Sequence, residues 1–132
     1  QPLAKVASGG ELSRISLAVQ VATLACASVP TLIFDEVDVG IGGGVAEIVG
    51  RLLRRLGEQR QVLCVTHLPQ VAAQGHQHLL ISKKSSGDKV ATSIHTLSGE
   101  SQVKEIARML GGIDITSSSL THAREMIALS QS

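Results

Sequence analysis

Asp35 and Glu36 are adjacent carboxylates at the end of a short apolar run, Thr31-Leu32-Ile33-Phe34. Two acids so placed have a use in nucleoside-triphosphate hydrolysis. The first holds Mg2+, directly or through water, and the second orients or deprotonates the attacking water. The metal is needed because charge develops on the phosphates. The same dipeptide is also what the polar end of a strand entering a loop looks like, and alone it does not choose between the two. Ser8-Gly9-Gly10, ahead of a long apolar run, has the chemistry of a phosphate site. Free backbone N–H groups at a positive helix end attract anions, and glycines allow close approach. A plain helix cap has the same sequence, and one geometry performs both tasks. His67 ends a second apolar run, QVLCVT; by itself it reads as a core histidine. His76, His78, His95 and His122 share no spacing and receive no role.

These residues need elements to hold them. Ser8, with Glu11 three residues on, is a capping-box signature, and it predicts a helix over residues 11–26 that is apolar nearly all round. Pro30 ends the connection, and residues 31–35 read as a buried parallel strand. Gly40, Gly42, Gly43 and Gly44 make a turn that lacks a dinucleotide fingerprint. A helix follows over residues 45–56, with Arg51, Arg54 and Arg55 nearer solvent and Gly57 as its stop. Residues 61–66 form a second buried strand, which completes a βαβ unit. Parallel strands in one sheet end on the same rim, so Asp35, Glu36 and His67 face one crevice. Downstream, the pattern predicts a short helix over residues 69–74 and strands at 78–83 and 89–97 around Ser85-Ser86-Gly87-Asp88. Helices over 100–110 and 118–129 follow, the last capped by Ser117 or Ser118. The fold class is α/β, with a parallel βαβ core, a hairpin and two helices.

Composition narrows the functions available. The 132 residues, 43% hydrophobic, suffice for one domain over residues 1–132 and not for two. Phe34 is the one aromatic residue, which excludes modules that stack bases on aromatic platforms. Twelve basic against eleven acidic residues give a net charge of +1, too little for a domain that holds DNA by itself. Charged residues make up 17%, against roughly a quarter in ordinary soluble domains, which suggests a partly covered surface. Cys26 and Cys64 lie within apolar runs, read as reduced and buried in a cytoplasmic protein, and lack the spacing of a zinc site. The uncharged stretch from Ile15 to Phe34 is divided by Pro30 and interrupted by polar residues, so its helical part falls short of the ~20 residues a bilayer demands. No membrane partner is expected. Because Gln1 rather than Met comes first, the chain is read as a fragment.

Taken together and in order, the three clusters resemble the ABC ATPases. Lys5-Val6-Ala7-Ser8-Gly9-Gly10-Glu11-Leu12-Ser13-Arg14 is similar to their signature motif, and residues 31–36 to the Walker B strand. Val37-Asp38-Val39-Gly40 is similar to the D-loop and Thr66-His67 to the switch histidine. Glu11 closes the signature where transporters usually carry Gln, and Val37 follows the acidic pair where they usually carry Pro. Those choices resemble the SMC-like branch that maintains chromosomes. The strings ASGGELSR, IFDEVDVGIGG and VTHLPQVAAQGHQHL, with EIARMLGG downstream, are similar to the C-terminal lobe of a bacterial DNA-repair member of it.

The resemblance implies roles. Asp35 organises Mg2+, Glu36 is the general base and His67 senses the γ-phosphate. Ser8, Gly9, Gly10 and Glu11 contact ATP held by the opposite protomer, and Asp38 lies at the dimer seam. The chain contains no G-x-x-x-x-G-K-[ST] motif, so the Lys and hydroxyl that grip the phosphates are expected on an N-terminal lobe. The resemblance therefore implies half of a P-loop-type head, inactive alone. Its expected partners are its own N-terminal lobe, a second protomer in an ATP-dependent head dimer, and DNA through the longer protein. Two alternatives stand beside it: the head of another SMC-like ATPase, and a non-catalytic module that self-associates through apolar faces.

Overall fold

The computed structural model describes residues 30–35, 40–111 and 114–131. The expected helix over residues 11–26, the signature residues Ser8, Gly9, Gly10 and Glu11, and Glu36 and Asp38 lie outside the described residues.

Strand β1 (Thr31–Asp35) and strand β2 (Gln61–Val65) pair in parallel, in register from Thr31 with Gln61 to Asp35 with Val65. Between them runs helix α1 (Gly43–Gly57), so the expected β-α-β unit is present. Alternation along the strands puts Leu32 and Phe34 on one face, joined there by Val62 and Cys64. Helix α1 covers that face with Ala46, Val49, Leu53 and Leu56, at the spacing of one helical stripe. On its far side Arg51 pairs with Glu47, four residues back.

Three expectations about this unit need correction. Helix α1 starts at Gly43, two residues earlier than the apolar pattern suggests, because Gly43 and Gly44 form its first turn. Among the described residues the strands are covered on one face rather than two: Ile33 is 71% exposed, Leu63 43% and Val65 47%. Cys64, expected buried, is half-buried.

Helix α2 (Pro69–Ala72) follows β2 closely, with Pro69 in its first turn, where a missing N–H costs nothing. Although short, it joins two apolar clusters. Its Val71 packs into the βαβ core. Ala73, just past its end, belongs to a second cluster with Val103, Ile106, Ala107 and Ala123. Those residues come from helix α3 (Glu100–Met109) and helix α4 (Ser117–Ser130), with Leu120 and Ile127 packed against them.

Strands β3 (His78–Ser86) and β4 (Lys89–Leu97) form an antiparallel hairpin closed by Gly87 and Asp88. The first strand runs three residues past its expected end. Gly87 has φ +62°, which a two-residue hairpin loop demands and glycine supplies without strain. The cap of α4 also differs from expectation. Thr116, not Ser117 or Ser118, is the N-cap: its Oγ1 accepts from the Ser119 N–H (3.1 Å) while the Ser119 hydroxyl oxygen accepts from the Thr116 N–H (2.9 Å).

Candidate functional site

The ladder register decides what meets at the sheet rim. Asp35 is the last residue of β1 and stands opposite Val65, the last residue of β2. Both strands point the same way, so Asp35 and the Thr66-His67 segment leave the sheet together at its carboxyl end. This is where open parallel sheets bind ligands. Asp35 and His67 are both exposed there. His67 is therefore not the core histidine that it resembles when read by itself.

The backbone around His67 is fixed from both sides. The Leu68 N–H donates to Thr66 Oγ1 (3.0 Å), folding the chain back across His67. The Leu68 carbonyl then accepts from the N–H groups of Val71 (3.1 Å) and Ala72 (3.0 Å), which starts α2 at Pro69, two residues after the histidine. Pro69 and Val71 are buried, so the turn bearing His67 is anchored in the core while its imidazole stays in solvent.

No group of three or more His, Cys, Asp or Glu side chains suited to a metal lies among the described residues. Asp35 is a single exposed carboxylate at the strand end. That donor set suits Mg2+ arriving with a nucleotide, since Mg2+ keeps several waters and takes one or two carboxylates plus substrate phosphates.

Three residues escaped the sequence reading. Arg54, placed nearer solvent, is part-buried, and its Nη1 donates to the Gln74 carbonyl at the end of the α2 turn (2.7 Å). A signal was available: Ala46, Gly50 and Arg54 follow one another at i, i+4 and i+8 along the buried side of α1. Glu105, which the sequence analysis does not single out, is 9% exposed and takes a two-pronged hydrogen bond from Arg108 (2.7 Å to each oxygen). His78, given no role, is half-buried, and burial holds its imidazole below the ordinary value while the nearby Glu105 carboxylate pulls the other way.

The fold is that of an SMC-type ATPase head. A chain solved in work on the structural biochemistry of ATP-driven dimerization and DNA stimulated activation of SMC ATPases matches with a TM-score of 0.67. The match covers 83% of this chain and 66% of that one, at 19% identity, and so bears on the fold alone. The sequence is more specific. Over nearly all of its length the chain is a close relative of the bacterial DNA repair protein RecN. It is 57% identical to RecN of Vibrio cholerae over 127 residues and 57% identical to RecN of Haemophilus influenzae over 129. Against RecN of Halalkalibacterium halodurans it is 47% identical over all 132 residues. The chain spans 23% of the length of each of these three proteins. No protein-family model matches it.

Proposed function

We propose that this chain supplies half of the ATP-hydrolysis site of a RecN-like DNA-repair ATPase that acts in recombinational repair of double-strand breaks. The observation that carries the reading is the parallel register of β1 and β2, which brings Asp35 and His67 out at one rim. In this reading Asp35 organises the Mg2+ that accompanies ATP, and Glu36 takes a proton from the attacking water. His67 donates to the γ-phosphate and so distinguishes ATP from its product. Ser8, Gly9, Gly10 and Glu11 reach ATP bound by a second protomer, and Asp38 lies at the seam between the two. Phosphate-gripping Lys and hydroxyl groups come from an N-terminal lobe, because the sequence holds no motif that would supply them.

The chain's small net charge of +1 assigns DNA contact to the longer protein rather than to this lobe. Among the described residues no helix is long and apolar enough to cross a membrane. The place of work in this reading is the cytoplasm, on chromosomal DNA. The test is Glu36→Gln in a full-length protein carrying this segment. Loss of steady-state ATP hydrolysis with nucleotide binding retained supports the assignment. Unchanged hydrolysis would favour the non-catalytic self-association module.

A further inference from the structure

Helix α1 and the α2 turn meet at Gly50, with no room for a side chain there. A Cβ placed on Gly50 would lie 2.8 Å from Gln74 Cγ, 3.0 Å from the Gln70 carbonyl oxygen and 3.2 Å from Val71 Cα. Two of those three neighbours are backbone, which cannot rotate away. One helical turn further along the same side of α1, the Arg54 guanidinium donates to the Gln74 carbonyl at 2.7 Å. A charge-assisted bond to a carbonyl left over at a helix end is stronger than a neutral one, and it holds that end in place. The α2 turn is thus fixed at its start by Thr66 and Leu68 and at its finish by Arg54. In between, Val71 locks it into the βαβ core.

We propose that Arg54 is a positioning residue for His67: by clamping the Gln74 carbonyl across the Gly50 crossing, it sets where the α2 turn, and with it the His67 imidazole, stands at the rim. The same helix begins just after Gly42, in the segment that follows Asp35 and Glu36. The inference rests on the reading of His67 as the γ-phosphate sensor.

The experiment measures kcat and KM for ATP, and the thermal midpoint, for Arg54→Met, Arg54→Lys, His67→Ala and the Arg54→Met/His67→Ala double variant in the full-length protein. A small misplacement of a reacting group costs up to about a hundred-fold, so Arg54→Met is expected to lower kcat by about ten-fold or more with KM little changed. Arg54→Lys, which can still donate one bond to the carbonyl, restores most of the loss. With His67 already removed, Arg54→Met costs nothing further. Should Arg54→Met fail to fold, Gly50→Ala shifts the same turn from its other side and is expected to show the same dependence on His67. If Arg54→Met lowers only the thermal midpoint, or if its loss multiplies with that of His67→Ala, the positioning role is wrong and the reading of His67 stands. If His67→Ala alone leaves kcat unchanged, the reading of His67 fails and the positioning role with it.

Discussion

Asp35 ends its strand directly opposite Val65, and the chain beyond Val65 turns out of the sheet at His67. An acid and an imidazole that are far apart in sequence thereby reach one edge by backbone pairing alone. No side-chain contact is needed to bring them there, so the arrangement survives changes to either side chain.

Asp35→Asn tests the metal role separately from the fold. Asp35 is exposed at a strand end, so the substitution is expected to move the thermal midpoint little. Removing the carboxylate that organises Mg2+ is expected to lower ATP hydrolysis by the full-length protein by about a hundred-fold or more. Steady-state hydrolysis across a Mg2+ titration checks this; activity restored at high Mg2+ would show that Asp35 governs metal affinity rather than the chemical step.

Gly50→Ala reports on the crossing of α1 with the α2 turn. The added methyl meets Gln74 Cγ at 2.8 Å and the Gln70 carbonyl oxygen at 3.0 Å, and overpacking of this kind costs about 1–3 kcal/mol. Gly44→Ala is the control, since a Cβ there meets nothing within 4 Å. Urea denaturation of the two variants is expected to show a clear loss for the first. For the second it is expected to show a small gain or no change.

Two ion pairs at similar helical spacing should differ in their contribution. Glu105 is 9% exposed against 61% for Arg108, so Arg108→Ala strands a buried carboxylate, at about 1–3 kcal/mol. Arg51 and Glu47 are 63% and 48% exposed, and Arg51→Ala is expected to cost less than about 0.5 kcal/mol. Paired denaturation curves decide it. Equal losses would mean that burial of Glu105 does not govern the energetics.

Stability should also depend on pH through His78. Burial lowers its pKa from the ordinary 6.5, more than the Glu105 carboxylate raises it. As pH falls through 6.5 the unfolded chain takes up a proton that the folded imidazole resists. The stabilising contribution is thus complete above 6.5 and is lost between there and the lower folded value. Unfolding free energy is expected to fall over that window in the native sequence. The slope attributable to this residue is expected to vanish in His78→Gln.

The parts of the fold that were legible in the sequence are those governed by local pattern. The run TLIFD, the stripe on residues 45–56 and the run QVLCV each specify one element, and their order specifies a βαβ unit. Less legible was anything set by what packs on what. Arg54 carries the most polar of side chains, yet its place on the Gly50 side of α1 brings it against a backbone carbonyl. Nothing in the periodicity of residues 100–110 marks Glu105 as buried, because its burial depends on neighbouring elements and on the Arg108 fork. The α4 cap lies one or two residues ahead of the expected Ser117 or Ser118 because Thr116, Ser117, Ser118 and Ser119 all carry capping hydroxyls, and only the reciprocal bonds between Thr116 and Ser119 select among them. For the site, the rim shared by Asp35 and His67 followed from strand direction. The anchoring of the His67 turn did not, since it depends on a tertiary contact twenty residues apart in sequence.

The central claim is that these residues hold half of an ATP-hydrolysis site. Its most direct test is ATP turnover by this chain alone, by a separately produced lobe carrying the phosphate-gripping motif, and by the two mixed. Half a site should give negligible turnover from this chain alone, and turnover on mixing that Glu36→Gln abolishes. Robust hydrolysis by this chain in isolation, itself abolished by Glu36→Gln, would contradict it.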